Sequence, residues 1–199
     1  MKIALLPCLL LTLVGVEPAL AQPAPADPAR VIKELGGTFR IDDELPNQPI
    51  VEVDLSRTKA DDKGLYWLAT LTELRKLSLA ETKIDGTALR HLGQCPKLVE
   101  LDLDKTPIDG TSLRHLKPLS TLRILRLGSV KVTDGHLEHL ASLRDLQTLQ
   151  LQCPMVTDAA VESLGRLAAL QKLDVRQTGI TDAGAAKLRE LLPGVVIQR

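Results

Sequence analysis

The sequence predicts an α/β solenoid in which a parallel sheet lines the concave side and short helices cover the convex side. Three observations carry this. Leu74, Leu98, Leu122, Leu146 and Leu170 follow one another at intervals of 24 residues. From each of them apolar residues recur with a spacing of two, as in Leu77/Leu79 and Leu101/Leu103, which turns both side chains to one face of a strand. Further along each unit the apolar spacing becomes helical, as in Leu89/Leu92 and Leu113/Leu116. Residues 77–92 and 101–116 agree at eleven of sixteen positions. The retained letters are mostly apolar or turn-forming, and the varied ones mostly fall where a strand faces water.

The elements follow in order. Residues 1–21 read as an export signal: Lys2, an apolar run over 3–16, and Ala19-Leu20-Ala21 as a small-x-small cleavage site. A membrane span needs about 20 apolar residues, and the run stops short of that at Glu17-Pro18. Residues 22–30 are Ala/Pro-rich and predict a disordered tether. Residues 31–49 predict an N-terminal cap, with a helix over 31–35 stopped by Gly36-Gly37, a strand over Thr38–Ile41, and Phe39 and Trp67 sealing the first repeat. Residues 50–199 predict six full repeats, ending at 193, and a truncated seventh strand. Asp85, Asp109, Asp134, Asp158 and Asp182 stand where helix N-caps are wanted. One such unit cannot bury its own apolar face, so stacking must supply the partner, and a right-handed coil results.

The repeat reads L-x-x-L-x-L-x-x-T-x-I, and it resembles the leucine-rich repeat family, whose motif carries Asn or Cys where this chain has Thr58, Thr82, Thr106, Val130, Pro154 and Thr178. The resemblance implies that the Thr hydroxyls take over part of the Asn column's bonding to neighbouring turns. Val130 and Pro154 cannot, which predicts less regular turns in those two copies. The second half, as in Thr133-Asp134 to Leu140, is similar to exported bacterial members. The resemblance implies a non-catalytic scaffold that binds a protein partner.

Composition excludes several other classes. The 25 Lys+Arg balance the 25 Asp+Glu, so no excess charge selects nucleic acid or anionic lipid. Signal cleavage leaves Cys95 and Cys153, which fall at different repeat positions and predict two free thiols rather than a disulfide. An exported location follows, in periplasm, envelope or medium, with no membrane insertion after cleavage.

His91, His115 and His139 share one repeat position, but duplication of L-R-H-L accounts for them without a metal. Glu100, Asp102 and Asp104 alternate along one strand, without the Gly and Asx positions of a calcium loop. Lys76 opposite Glu100 and Arg126 opposite Asp102 make a solvated ion-pair patch the better reading. No nucleophile elbow, phosphate-binding Gly loop or Cys-x-x-Cys is present, so no catalytic residue, metal or cofactor is predicted. The concave face remains, with Lys76, Glu100, Asp102, Asp104, Arg126, Gln150, Lys172, Asp174 and Arg176 as candidate partner contacts. An exported hydrolase and a self-associating structural component are the alternatives. The open edge of the last strand could pair two copies, but its shortness and Arg199 favour a monomer.

Overall fold

The computed structural model describes residues 27–199. The predicted signal and residues 22–26 of the predicted tether lie outside them. Helix α1 spans Pro28–Glu34, with the Asp27 carboxylate accepting from the Ala29 amide. Pro28 at the first turn lacks only a donor that a helix leaves unused there. Residues 28–30, expected in the tether, therefore belong to the cap helix, three residues ahead of its predicted start.

Strand β1, Thr38–Ile41, runs antiparallel to β2, Ile50–Asp54. From β2 onward every pairing is parallel, through β3 (Lys76–Ser78), β4 (Glu100–Asp102), β5 (Ile124–Gly128), β6 (Thr148–Gln152), β7 (Lys172–Asp174) and β8 (Val196–Gln198). Strand order equals chain order in this eight-stranded sheet. The register is the sequence repeat itself, because Leu77, Leu101, Leu125, Leu149 and Leu173 stand side by side. Leu74, Leu98, Leu122 and Leu146 are fully buried behind them. One continuous apolar cluster runs from Ile32 to Val195, each buried leucine contributing about 1.5–3 kcal/mol. Trp67 lies wholly inside it near the capped end, and Phe39 packs half-buried against it.

The convex side consists mostly of 3-10 turns rather than the expected α-helices: Thr87–Gln94, Gly110–Leu116 and Asp134–Ser142 are all of this kind. Their buried leucines lie three apart, at 89/92, 113/116 and 137/140. A spacing of three matches the 3-10 period, in which residues i and i+3 eclipse. Only α2, Val161–Leu164, and α3, Asp182–Leu191, are α-helical beyond the cap. In α3 the buried series Gly184, Ala185, Leu188 includes a step of four.

The strand-to-turn corner differs from the expectation in two ways. The hydroxyls of Thr58, Thr82, Thr106 and Thr178 donate to the carbonyl three residues earlier, at 2.6–2.7 Å, within their own repeats. Bonding to the next repeat comes instead from the preceding residue. Arg57, Glu81, Lys105 and Ser129 adopt φ of 55–59° and donate their amides to Ala80, Asp104, Gly128 and Gln152 carbonyls. The corner at Val130 thus keeps the common geometry, contrary to prediction, because the backbone of Ser129 makes the inter-repeat bond whatever residue follows.

The corner at Pro154 does depart. A residue before proline is held extended, and Cys153 has no positive φ. Its side chain turns inward, fully buried, and Sγ donates to Leu127 O at 3.0 Å, while Pro154 is exposed. Cys153 therefore fills the inward slot one residue early. Cys95 is likewise buried, with Sγ donating to Leu68 O at 3.3 Å. Both thiols are free, and burial pushes both up to about 11.

The five aspartates expected as N-caps occupy two columns. Asp109 caps its own turn through the Thr111 amide, and the Asp85 carboxylate accepts from Thr87 N although Gly86 is the cap residue. In later repeats the caps are Thr133, Thr157 and Thr181. Asp134 and Asp158, one residue further on, reach across to the next repeat and accept from the backbone N and the hydroxyl of Thr157 and Thr181 at 2.6–2.8 Å. Asp62 does the same for the amides of Asp85 and Ala88. Two repeats have glycine in this clasp column, Gly86 and Gly110. A Cβ on Gly86 would lie 2.4 Å from Ser112 Oγ, and one on Gly110 would lie 2.0 Å from His136 Nδ1. The facing residue is small where the clasp is Asp (Ala88, Ala160, Gly184) and larger where it is Gly (Ser112, His136). Each interface thus fills the same space in one of two ways.

Candidate functional site

Side-chain alternation sends Val53, Leu77 and Leu101 into the core, so their neighbours on the strands line the opposite, concave face. Between β1 and β5 that face forms a trough of about 390 Å³ lined by Arg40, Glu52, Asp54, Lys76, Ser78, Glu100, Asp102 and Arg126, with Thr38 and Phe39 at its end. Four of the predicted contacts meet here: Lys76, Glu100, Asp102 and Arg126. The register aligns Lys76 with Glu100 and Arg126 with Asp102.

The ion pairs are shared differently from the simple opposite pairing. Arg126 reaches back two residues to Glu100 at 2.5 Å and stands 3.9 Å from Asp102. Glu100 is aligned with the apolar Ile124 and so draws the guanidinium across. Lys76 sits between Glu52 at 3.6 Å and Glu100 at 3.8 Å. Arg40, delivered by β1, takes Glu52 at 2.7 Å and holds its carboxyl below the ordinary range. Asp102 moves the other way, raised first by burial and also by Asp104 and Glu100, against the lowering by the Asp104 amide and Arg126.

The remaining predicted contacts do not join this cluster. Asp104 accepts from the Gly128 amide at 2.5 Å and from Gln150 Nε2 at 3.3 Å, which ties β4 to β5 and β6. Asp174 is only 5% exposed, and Arg176 closes on it through Nε and a terminal nitrogen at 2.9 and 2.6 Å. It is an internal anchor rather than a contact open to a partner, while Lys172 is exposed beside it. Arg40 was missed in the sequence because it stands outside the repeat. Its only signal was the predicted strand at Thr38–Ile41, whose antiparallel direction no periodicity could give.

Among the described residues no group of three or more His, Cys, Asp or Glu side chains is placed to hold a metal ion. His91 and His115 are lowered, first by burial and then by Arg90 and Arg114. His139 lies half-buried on the same side. Nor does any described helix have the length and apolar character to cross a membrane.

The carboxylates give a direct check by NMR titration. Asp158, held low first by the Thr181 hydroxyl, titrates below the ordinary aspartate value, and Asp102 above it. The signs are opposite. A depressed carboxyl stabilises the native state above its unfolded pKa, and this is lost as pH falls through the folded value. Asp102, being raised, opposes the native state increasingly as pH rises from its unfolded to its folded value. Acid therefore weakens the native state at the Asp158 clasp and, through Glu52, in the trough, while Asp102 contributes nothing to that loss. The reverse order of titration would contradict the geometry of both.

A sequence profile of the Leucine Rich repeat family matches residues 169–188. No curated protein matches the chain by sequence. Among solved structures the chain is similar to an internalin, inlF, from Listeria monocytogenes, at 21% identity and TM-score 0.54 over 74% of this chain and 47% of that one. A leucine-rich-repeat protein of Leptospira interrogans matches at 24% identity and TM-score 0.53, over 67% of this chain and 33% of that one. An internalin C2 from Listeria monocytogenes matches at 20% identity and TM-score 0.50 over 90% and 98%. The chain thus spans about half the length of the first and a third of the second. The fold is the leucine-rich-repeat solenoid, and at these identities the likeness concerns the fold alone.

Proposed function

We propose that this chain is an exported, non-catalytic interaction scaffold that binds a protein partner through the concave face of its sheet. The observation that supports this most is the trough itself: one uninterrupted sheet face, polar and mixed in charge, carried on a core that every repeat shares. Rigid strands hold these side chains at fixed spacing, the condition for complementary recognition. A hydrolase reading finds no support there, because among the described residues the trough hydroxyls, Ser78 and Thr38, have no imidazole in the lining to activate them. Solvated pairs of this kind favour steering and register over raw affinity.

The test is affinity capture from native envelope or medium with wild type and with the swap Asp102→Arg/Arg126→Glu. The swap preserves net charge and lets residue 102 pair with Glu100, but it gives up the Asp104 amide bond to Asp102, so the unfolding midpoint is measured beside capture. Partner recovery is expected to fall at least tenfold, an effect of about 1.4 kcal/mol. Recovery at wild-type level, with an unchanged unfolding midpoint, would move the site off the concave face.

A further inference from the structure

The trough carries an imbalance that defines the chemistry of what it binds. Four carboxylates, Glu52, Asp54, Glu100 and Asp102, face three cations, Arg40, Lys76 and Arg126. The cations are committed to one row: Arg40 to Glu52, Lys76 between Glu52 and Glu100, Arg126 to Glu100. The next row along the strands is Asp54, Ser78, Asp102, aligned residue for residue across β2, β3 and β4. Asp54 accepts only the amide of Ser56, at 2.8 Å, and has no ion pair among the described residues. Asp102 accepts the amide of Asp104 at 3.0 Å and has Arg126 no nearer than 3.9 Å. Between them Ser78 is short, and Ala80 follows it. The floor is therefore low where its two walls are acidic.

Neighbouring strands lie about 4.8 Å apart, so Asp54 and Asp102 stand about 9.6 Å apart at the backbone. A carboxylate, a cationic head and a second carboxylate fit across that span with charge-assisted contacts on both sides. Building on the concave-face reading above, we propose that the partner is a protein presenting a basic segment, and that one of its Arg or Lys side chains seats over Ser78 between Asp54 and Asp102. Burial of Asp102 acts in the same direction, since an incoming cation restores the compensation its carboxylate lacks. Both carboxylates make only one internal hydrogen bond, to a backbone amide two residues on, which an Asn oxygen can keep.

The probe is a blocked tetra-arginine peptide, followed by backbone amide NMR of the protein, with tetra-citrulline as the uncharged counterpart of the same shape. Tetra-arginine is expected to shift Ser78, Asp54 and Asp102 and to weaken with added salt, while tetra-citrulline leaves them in place. The variant Asp54→Asn/Asp102→Asn is expected to bind roughly fivefold more weakly. Glu162→Gln, on the opposite side of the molecule, is expected to bind as wild type. Equal binding of the citrulline peptide, shifts confined to other residues, or wild-type affinity in the double Asn variant would each overturn the inference. If the arginine peptide fails while partner capture still depends on the 102/126 swap, only the basic-segment inference is lost. If capture ignores the swap, the concave-face reading is lost with it.

Discussion

Leu103→Ala is expected to destabilise the chain by about 2–5 kcal/mol in urea unfolding. Leu103 is fully buried, with its repeat equivalents Leu79 and Leu127 equally buried on either side. A cavity there is flanked by two copies of the same rigid unit, which limits the relaxation that lowers such costs. Leu55 is just as buried, but one of its neighbours is the cap: a Cβ on Gly37 would come within 2.6 Å of its side chain. A terminal cap can settle into a cavity more easily than an internal repeat can, so Leu55→Ala is expected to cost less. Equal losses would contradict a solenoid held by nearest-neighbour interfaces.

The clasp column gives the second large effect, and it concerns a pair. Gly110→Asp alone drives a side chain into the His136 ring and is expected to cost about 1–3 kcal/mol. His136→Ala alone removes the Nδ1 contacts to Thr133 N and Oγ1, at 3.2 and 3.1 Å, an N-cap loss of about 1 kcal/mol. The double variant rebuilds the arrangement of Asp134 with Ala160, in which the carboxylate takes the next repeat's N-cap threonine. Gly110 does not need a positive φ, so its backbone accepts Asp. The double-mutant cycle is expected to show favourable coupling within the range of about 0.5–3 kcal/mol. Additive losses would show that the two clasp types are not alternatives for one space.

The sheet and its core were legible because both depend on period. A spacing of two repeated every 24 residues fixes which leucines face inward and which strands lie side by side, and the register of Leu77, Leu101, Leu125 and Leu149 follows. Features set by single residues or by contacts between repeats were not legible in this way. The 24-residue count could have separated the aspartate columns, since Asp109 and Asp134 are 25 apart, but what Asp134 does depends on Thr157 across the interface. Cys153 fills its slot early because Pro154 constrains the residue before it, a local rule that outranks the repeat. The trough was half legible: the rows on β3 to β5 follow from the repeat, whereas Arg40 arrives from a strand that runs the other way.

Carboxyl footprinting of the captured complex addresses the central claim, that the partner lies on the concave sheet face. Labelling with a carbodiimide and a glycine ester reads each Asp and Glu separately, with and without partner. Glu52, Asp54, Glu100 and Asp102 are expected to lose reactivity in the complex, while Glu138 and Glu162 on the convex side keep theirs. Protection of Glu138 and Glu162 with the trough carboxylates unchanged would contradict the account.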